Sequence, residues 1–289
     1  MVLIILDAIK AIILGIVEGF TEFLPISSTG HLILVNQFAS FDKEFTLLFD
    51  IVIQLGAILA VLAYFRKKLW PFSKDKNPDG RAVEDPRCQP RWHRDKETLN
   101  IWYKTIIGVL PAVFLGALFA NVIEKKLFNP WVVAMALLIG GWIILFIEKK
   151  RPKGCPEPKI TSINNLSFKT AFLIGLVQCL SMIPGTSRSA ATIVGAMIFG
   201  ASRMVATEFS FFLAIPTMFA ASAYSLLKYN ALLNIHQIFV LSIGFIVSFV
   251  VAFAVIKFLI NYVQKNNFKI FGYYRIILGI IIILYFLIK

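Results

Sequence analysis

EGFTEFLPISSTGH, residues 18–31, places two glutamates, two serines, two threonines and a histidine in a chain that is otherwise strongly apolar. Of the 289 residues, 58% are hydrophobic and only 16% charged, with a mean hydropathy of +0.78. A soluble domain of this length needs more polar surface, so the composition indicates an integral membrane protein. A helical crossing takes about 20 residues, and apolar runs of that order occur at 45–65, 101–121, 131–148, 208–228, 236–260 and 272–288. Two further apolar stretches, 3–40 and 168–200, are interrupted by Pro, Gly and polar clusters, so neither reads as a clean span. The quoted residues lie inside the first of these. No basic segment followed by a small-residue cleavage site opens the chain, so no cleavable signal peptide is expected.

Charge placement gives the topology. The net charge is +13, and of 29 Lys and Arg residues ten lie in 66–98, six in 149–169 and four in 257–275. The intervening turns carry few. Alternation of this kind follows the positive-inside rule, so the three rich segments are expected on the cytoplasmic side, with 66–98 as a basic cytoplasmic loop. The excess is a topology signal, with anionic lipid headgroups as a secondary use, and no nucleic-acid partner is expected. Cys88 and Cys155 fall in predicted cytoplasmic loops and Cys179 within a membrane stretch, so no disulfide is expected.

Self-similarity organises the chain. LGIVEGF (14–20) matches IGLVQCL (174–180) at an offset of 160. After a one-residue gap, PISSTG (25–30) matches PGTSRS (184–189) at 159, and FDIVIQLGA (49–57) lies opposite FSFFLAIPT (209–217) at 160. The expected architecture is a single all-α polytopic membrane domain, 1–289, built as an inverted-topology repeat (1–150 and 160–289). Each half would hold a re-entrant helix–loop–helix followed by three transmembrane helices. An odd number of full spans per half inverts the second copy. Non-helical backbone at membrane depth is tolerated only where protein or a watery cavity surrounds it, and such breaks meet at functional sites. The two tips would be Pro25–Gly30 and Pro184–Ser189.

The residues at the tips suit phosphate chemistry. Glu18 and Glu22, four apart, share a helical face, where two carboxylates need a proton or a cation between them. Their oxygens suit Mg²⁺ or Ca²⁺, more so if a phosphate completes the shell. An interfacial pair facing water is the blander alternative, but intramembrane ionisable residues are rare and functional as a rule. Ser27, Ser28, Thr29 and Gly30 exceed what a helix cap requires, and hydroxyls with free N–H groups make an anion site. His31 lies three residues after Ser28, in reach as base or acid. In the second tip, Gly185, Thr186, Ser187, Arg188, Ser189 and Thr192 supply donors. Arg188 reads as the one arginine deep in an apolar stretch, its planar fork matched to phosphate oxygens or paired with Glu18 or Glu22. Metal ligands, a hydroxyl nucleophile, a base and a guanidinium clamp together suit phosphoryl transfer. Asp50, Gln54 and Glu208 flank the site as supporting groups, and Glu148 with Lys149, Lys150 and Arg151 reads as a solvated helix end.

EGFTEFLPISSTGH and PGTSRSAAT (184–192) together resemble the two signature regions of the undecaprenyl-diphosphate phosphatase family, the bacitracin-resistance proteins of bacterial membranes. The glutamate motif falls on Glu18 and Glu22, and the segment after it on Pro25, Ser27, Ser28, Thr29, Gly30 and His31. The second signature falls on Pro184, Gly185, Ser187, Arg188, Ser189 and Thr192, with Ala190 where the family commonly has Gly. The resemblance implies hydrolysis of undecaprenyl diphosphate to undecaprenyl phosphate and inorganic phosphate. It further implies recycling of the carrier lipid for peptidoglycan, resistance to bacitracin, and a divalent-cation requirement. The location implied is the bacterial cytoplasmic (inner) membrane, with the site opening to the outer, periplasmic face, in agreement with the charge-derived topology. On this reading Glu18 and Glu22 hold the metal, Arg188 and tip N–H groups bind the diphosphate, Ser28 attacks and His31 handles the proton. Ser27, or a His31-activated water, stays open as the nucleophile, and so does a homo-oligomeric state. The rival is a lipid-phosphate transporter or flippase built on the same repeats, which would use the Arg and Glu groups for binding and release no phosphate.

Overall fold

A computed structural model describes residues 2–74, 92–151, 158–228 and 233–288. Cys88, Cys155 and the 75–91 part of the basic loop lie outside the described residues. The described chain is helical apart from one short antiparallel pair. In order come α1 (Val2–Thr21), α2 (Ser28–Val35), α3 (Lys43–Tyr64), the short α4 (Arg66–Leu69), strands β1 (Phe72–Lys74) and β2 (Trp92–Arg94), α5 (Lys96–Leu127) and α6 (Pro130–Lys149). There follow α7 (Phe168–Gln178) with a 3₁₀ turn (Cys179–Met182), α8 (Arg188–Ile198), α9 (Arg203–Lys228), α10 (Ile235–Lys265) and α11 (Lys269–Ile288). Six of the helices are long and apolar enough to cross a membrane: α3, α5, α6, α9, α10 and α11. The protein is therefore an all-α polytopic membrane protein, and the six expected spans are these six.

The helices begin one to five residues ahead of the apolar runs, because polar caps set helix starts and hydropathy does not. Asp95 accepts from the Glu97 amide at 3.0 Å, Asn129 from Val132 at 3.0 Å ahead of Pro130, and Asn234 forms a reciprocal capping box with Gln237. The two interrupted stretches each fold as a helix, a turn and a shorter helix: α1 with α2, and α7 with α8.

Packing between helices recurs along the chain. α1 and α3 both pack on α10, and α7 and α9 both pack on α5; α2 touches α11 as α8 touches α6. α3 meets α9, and α6 meets α11. Where lipid is as apolar as leucine, close backbone approach drives association. Gly15 in α1 abuts the Gly244 carbonyl of α10, and Gly175 in α7 abuts Gly108 of α5 so closely that a methyl at either would collide with backbone.

Three side chains correct the sequence reading. Glu148 is no solvated helix end: it is 2% exposed and takes Arg203 Nε at 2.9 Å, Arg203 Nη2 at 2.5 Å and the Phe268 amide at 3.0 Å. Its spacing from a run of basic residues concealed a bidentate pair made 55 residues away. Glu208 pairs with Lys68 at 2.7 Å, so it serves the α4 end and not the tips. Arg275, counted in the sequence with a cytoplasmic basic segment, is 0% exposed and stands inside α11. Arg188 is thus not alone among deep arginines.

Candidate functional site

Both tips turn on a strained serine. Ser27 (φ 75°) and Ser187 (φ 69°) are the two non-glycine residues with positive φ among the described residues. Such backbone costs about 1–3 kcal/mol and marks places where a function fixes the chain. Each serine caps the helix that follows: Ser27 Oγ accepts from the Gly30 amide and Ser187 Oγ from the Ala190 amide, both at 3.3 Å. Because the third amide is taken by the cap, the first two N–H groups of α2 and α8 keep no intrahelical acceptor. The caps also bear on how the two tips align. They stand at 27 and 187, so the tips align at an offset of 160 without the one-residue gap, and Ser28 and Arg188 occupy the same first position of their helices.

The tips meet. Arg188 Nη2 reaches Glu22 Oε1 at 3.3 Å, and Ser189 Oγ donates to the Leu24 carbonyl at 2.9 Å. The Arg188 guanidinium lies over the Phe23 ring at 5.8 Å, and its Nη1 donates to the Ser210 carbonyl at 2.9 Å. The Thr192 hydroxyl sits 2.6 Å from Ser210 Oγ, tying α8 to α9 below the guanidinium. Arg188 Nε is buried with no partner, so the fork is not fully committed within the protein.

Glu22 is the hinge of the cluster. Its Oε2 accepts from Ser28 Oγ at 2.7 Å while Oε1 faces Arg188. Ser27, by contrast, is 2% exposed and its hydroxyl is committed to the cap. Glu18 is fully buried, and neither of its carboxylate oxygens meets a donor. It lies against the Glu22 carboxyl with Asp50 and Arg188 in electrostatic range. Asp50 is itself held by Asn36 at 3.4 Å. Two carboxyls in contact require a shared proton or a cation, so a hard divalent ion fits this donor set. Among the described residues no three His, Cys, Asp or Glu side chains are grouped to hold a metal.

His31 is placed differently from its sequence expectation. It is not hydrogen-bonded to Ser28. Nδ1 lies 2.7 Å from the Ser27 carbonyl, and since a carbonyl only accepts, Nδ1 carries the proton. In the neutral ring Nε2 then accepts from the Tyr274 hydroxyl at 2.7 Å, with the two rings parallel to within 10°. Thr29 and Thr186 stand at the tips, half-buried, and Gly30 is buried beneath them. Gly185 (φ 90°) lets the second tip run against α6, where a β-carbon would strike the Val133 carbonyl at 2.5 Å.

Three participants escaped the sequence. Tyr274 and Arg275 come from the last helix, outside both signatures, and Ser210 from a span read as plain packing. The only signal for the first two was a polar pair interrupting the final apolar run; counting Arg275 as loop charge hid it.

Comparison with known proteins shows the family. Residues 11–281 match the family described as bacitracin resistance protein BacA. The chain is 47% identical over 284 residues to an undecaprenyl-diphosphatase of Lachnoclostridium phytofermentans, covering 98% of each chain. It is 47% identical over 284 residues to undecaprenyl-diphosphatase 1 of Clostridioides difficile, covering 98% of this chain and 97% of that one. An undecaprenyl-diphosphatase of Enterococcus faecalis is 46% identical over 283 residues, covering 96% and 97%. The names of these relatives give the transport alternative no support.

Proposed function

The chain belongs to the bacitracin resistance protein family, and from that premise we propose that its two tips are the catalytic centre for hydrolysis of undecaprenyl diphosphate. The activity itself, release of phosphate from that lipid, rests on the family and its relatives. The observation that carries the placement is the chain Ser28–Glu22–Arg188, in which one carboxylate touches both a hydroxyl and the guanidinium of the opposite tip.

The residues divide the work as follows. Arg188 and the open amides of α2 and α8 hold the diphosphate oxygens, with Thr29, Thr186, Ser187 and Ser189 at the rim. Ser28 passes its proton to Glu22 as its oxygen bonds to the terminal phosphorus. The bond from that phosphorus to the bridging oxygen breaks, and undecaprenyl phosphate leaves. Water then hydrolyses the phosphoserine, giving inorganic phosphate and regenerating Ser28. His31, held in one tautomer by Ser27, takes the proton of that water at Nε2 once the Tyr274 hydroxyl yields the position to it. Ser28 is favoured over Ser27 because its hydroxyl is free of the cap. A divalent cation bound by Glu18 and Glu22 would neutralise charge on the diphosphate.

The repeating pairings among helices support an inverted repeat of 1–150 and 160–289, joined at α3–α9 and α6–α11. With the basic segments inside, the first tip opens to the outer face of the cytoplasmic membrane. The product is then returned to carrier-lipid use in peptidoglycan assembly, and extra enzyme raises tolerance to bacitracin.

The test is phosphate release by the purified protein from a prenyl diphosphate in detergent, alongside Ser28→Ala and Arg188→Ala. Loss of release in both folded variants supports the two-tip site. Retained activity in Ser28→Ala moves the attack to water. No release from the unaltered, folded protein across a range of cations sinks the placement and the activity together.

A further inference from the structure

We infer that Arg275 is a positioning residue that sets the distance between the two tips, and so between Ser28 and Arg188. This inference rests on the two-tip reading above. The guanidinium is fully buried in α11, and among the described residues no carboxylate pairs with it. Its hydrogen bonds all go to backbone carbonyls: Nη1 to Pro25 at 3.4 Å, Nη2 to Gly185 at 3.1 Å, and Nη2 to Ala136 of α6 at 3.1 Å.

Those first two acceptors are equivalent. Pro25 and Gly185 each stand two residues ahead of a positive-φ serine, at the same point of the two tips. One planar fork therefore grips the same backbone position on both, and a third bond fixes it to a span. Carbonyls of non-helical backbone at membrane depth need donors from within the protein, and an uncompensated buried cation is a costly way to supply them. A neutral amide would satisfy one carbonyl at less expense of desolvation. Only a guanidinium reaches carbonyls on two segments and a helix at once. The fold also makes room for it: a β-carbon on Gly140 of α6 would lie 2.3 Å from Arg275 Nη2 and 2.8 Å from Cζ.

Arg275 touches neither Ser28 nor Glu22, so its effect on chemistry runs through geometry. Small errors in placing a nucleophile and a clamp lower turnover more than ground-state binding. Arg275→Met is expected to lower kcat about 100-fold with KM changed less than about 3-fold. Arg275→Lys, which keeps the charge but can bridge fewer acceptors, is expected to recover part of that loss. Gly140→Ala, which keeps the arginine and displaces it, is expected to lower kcat in the same sense.

A second reading needs no activity. With the three native cysteines replaced, spin labels at Phe38→Cys beyond α2 and Ile198→Cys at the end of α8, both exposed, report the relation of the two tips. A single narrow distance distribution that broadens in Arg275→Met supports the inference, whether or not phosphate is released. Should the unaltered protein release no phosphate while the distribution still broadens, the catalytic placement falls and the bracket stands. A folded Arg275→Met with unchanged kcat and an unchanged distribution overturns the inference, as does a loss confined to KM.

Discussion

The two tips share a backbone and differ in chemistry. Both have a helix that stops, a strained serine cap and a short second helix, with the caps 160 residues apart. On the first tip that frame carries Glu18, Glu22, Ser28 and His31; the equivalent positions on the second are Gln178, Met182, Arg188 and Ala191. One tip carries carboxylates, a hydroxyl and an imidazole, and the other a guanidinium among hydroxyls. On the proposed function, the shared frame would set where a phosphate sits and the difference between the tips what happens to it. A symmetric pair could bind an anion from both sides, but only an asymmetric pair offers an attacking group on one side and a charge clamp on the other.

Exchanging the two first-position residues, Ser28→Arg with Arg188→Ser, tests the comparison most severely. It keeps composition and frame while reversing the chemistry, and phosphate release is expected to fall by about 1,000-fold or more. Substantial release from that exchange would mean the tips are interchangeable. Glu18→Gln makes the first tip resemble the second, where Gln178 is equally buried and unpartnered. Its expected result is a loss of about 100-fold together with loss of response to Mg²⁺ or Ca²⁺, measured by titrating the cation after EDTA treatment. EDTA alone should silence the unaltered protein reversibly.

Gly185→Ala probes the frame and not the chemistry. Its φ of 90° and the Val133 carbonyl in the way of a methyl predict destabilisation of about 2–3 kcal/mol, read as a lowered Tm in detergent. The mildest change is Tyr274→Phe, which removes the hydroxyl donated to His31 Nε2 and keeps the ring stack. A drop of about 3–10-fold with an altered pH profile of kcat is expected. An identical profile would separate Tyr274 from the role of His31.

The sequence made the six spans legible because a crossing leaves a run of about 20 apolar residues that nothing else requires. It made the tips legible because Glu18, Glu22 and Arg188 are expensive at membrane depth and so stand out. What it could not show was register and partnership. Local identities put the tips one residue out of step, and only the caps at Ser27 and Ser187 restored it, since φ leaves no mark in the letters when the residue is not glycine. His31 looked like the partner of Ser28 because they are close along a helix, whereas its hydrogen bonds are to the Ser27 carbonyl and to Tyr274, 243 residues away. Glu148 and Arg275 misled for one reason: charge near a span end reads as water-facing unless its long-range partner is known. The metal expectation remains a proposal resting on Glu18, a buried carboxyl against that of Glu22, which a cation or a shared proton would satisfy.

Arg275 also bears on how the protein is made. Both signature stretches are complete once residue 192 is added, yet the bracket between them is 83 residues further on, in the final helix. Chains are built from the N-terminus and their parts fold in that order. A nascent chain therefore carries both tips before it carries the arginine that joins them. On the proposed reading, a product cut short before α11 would hold both signatures without their bracket, and it is expected to release no phosphate.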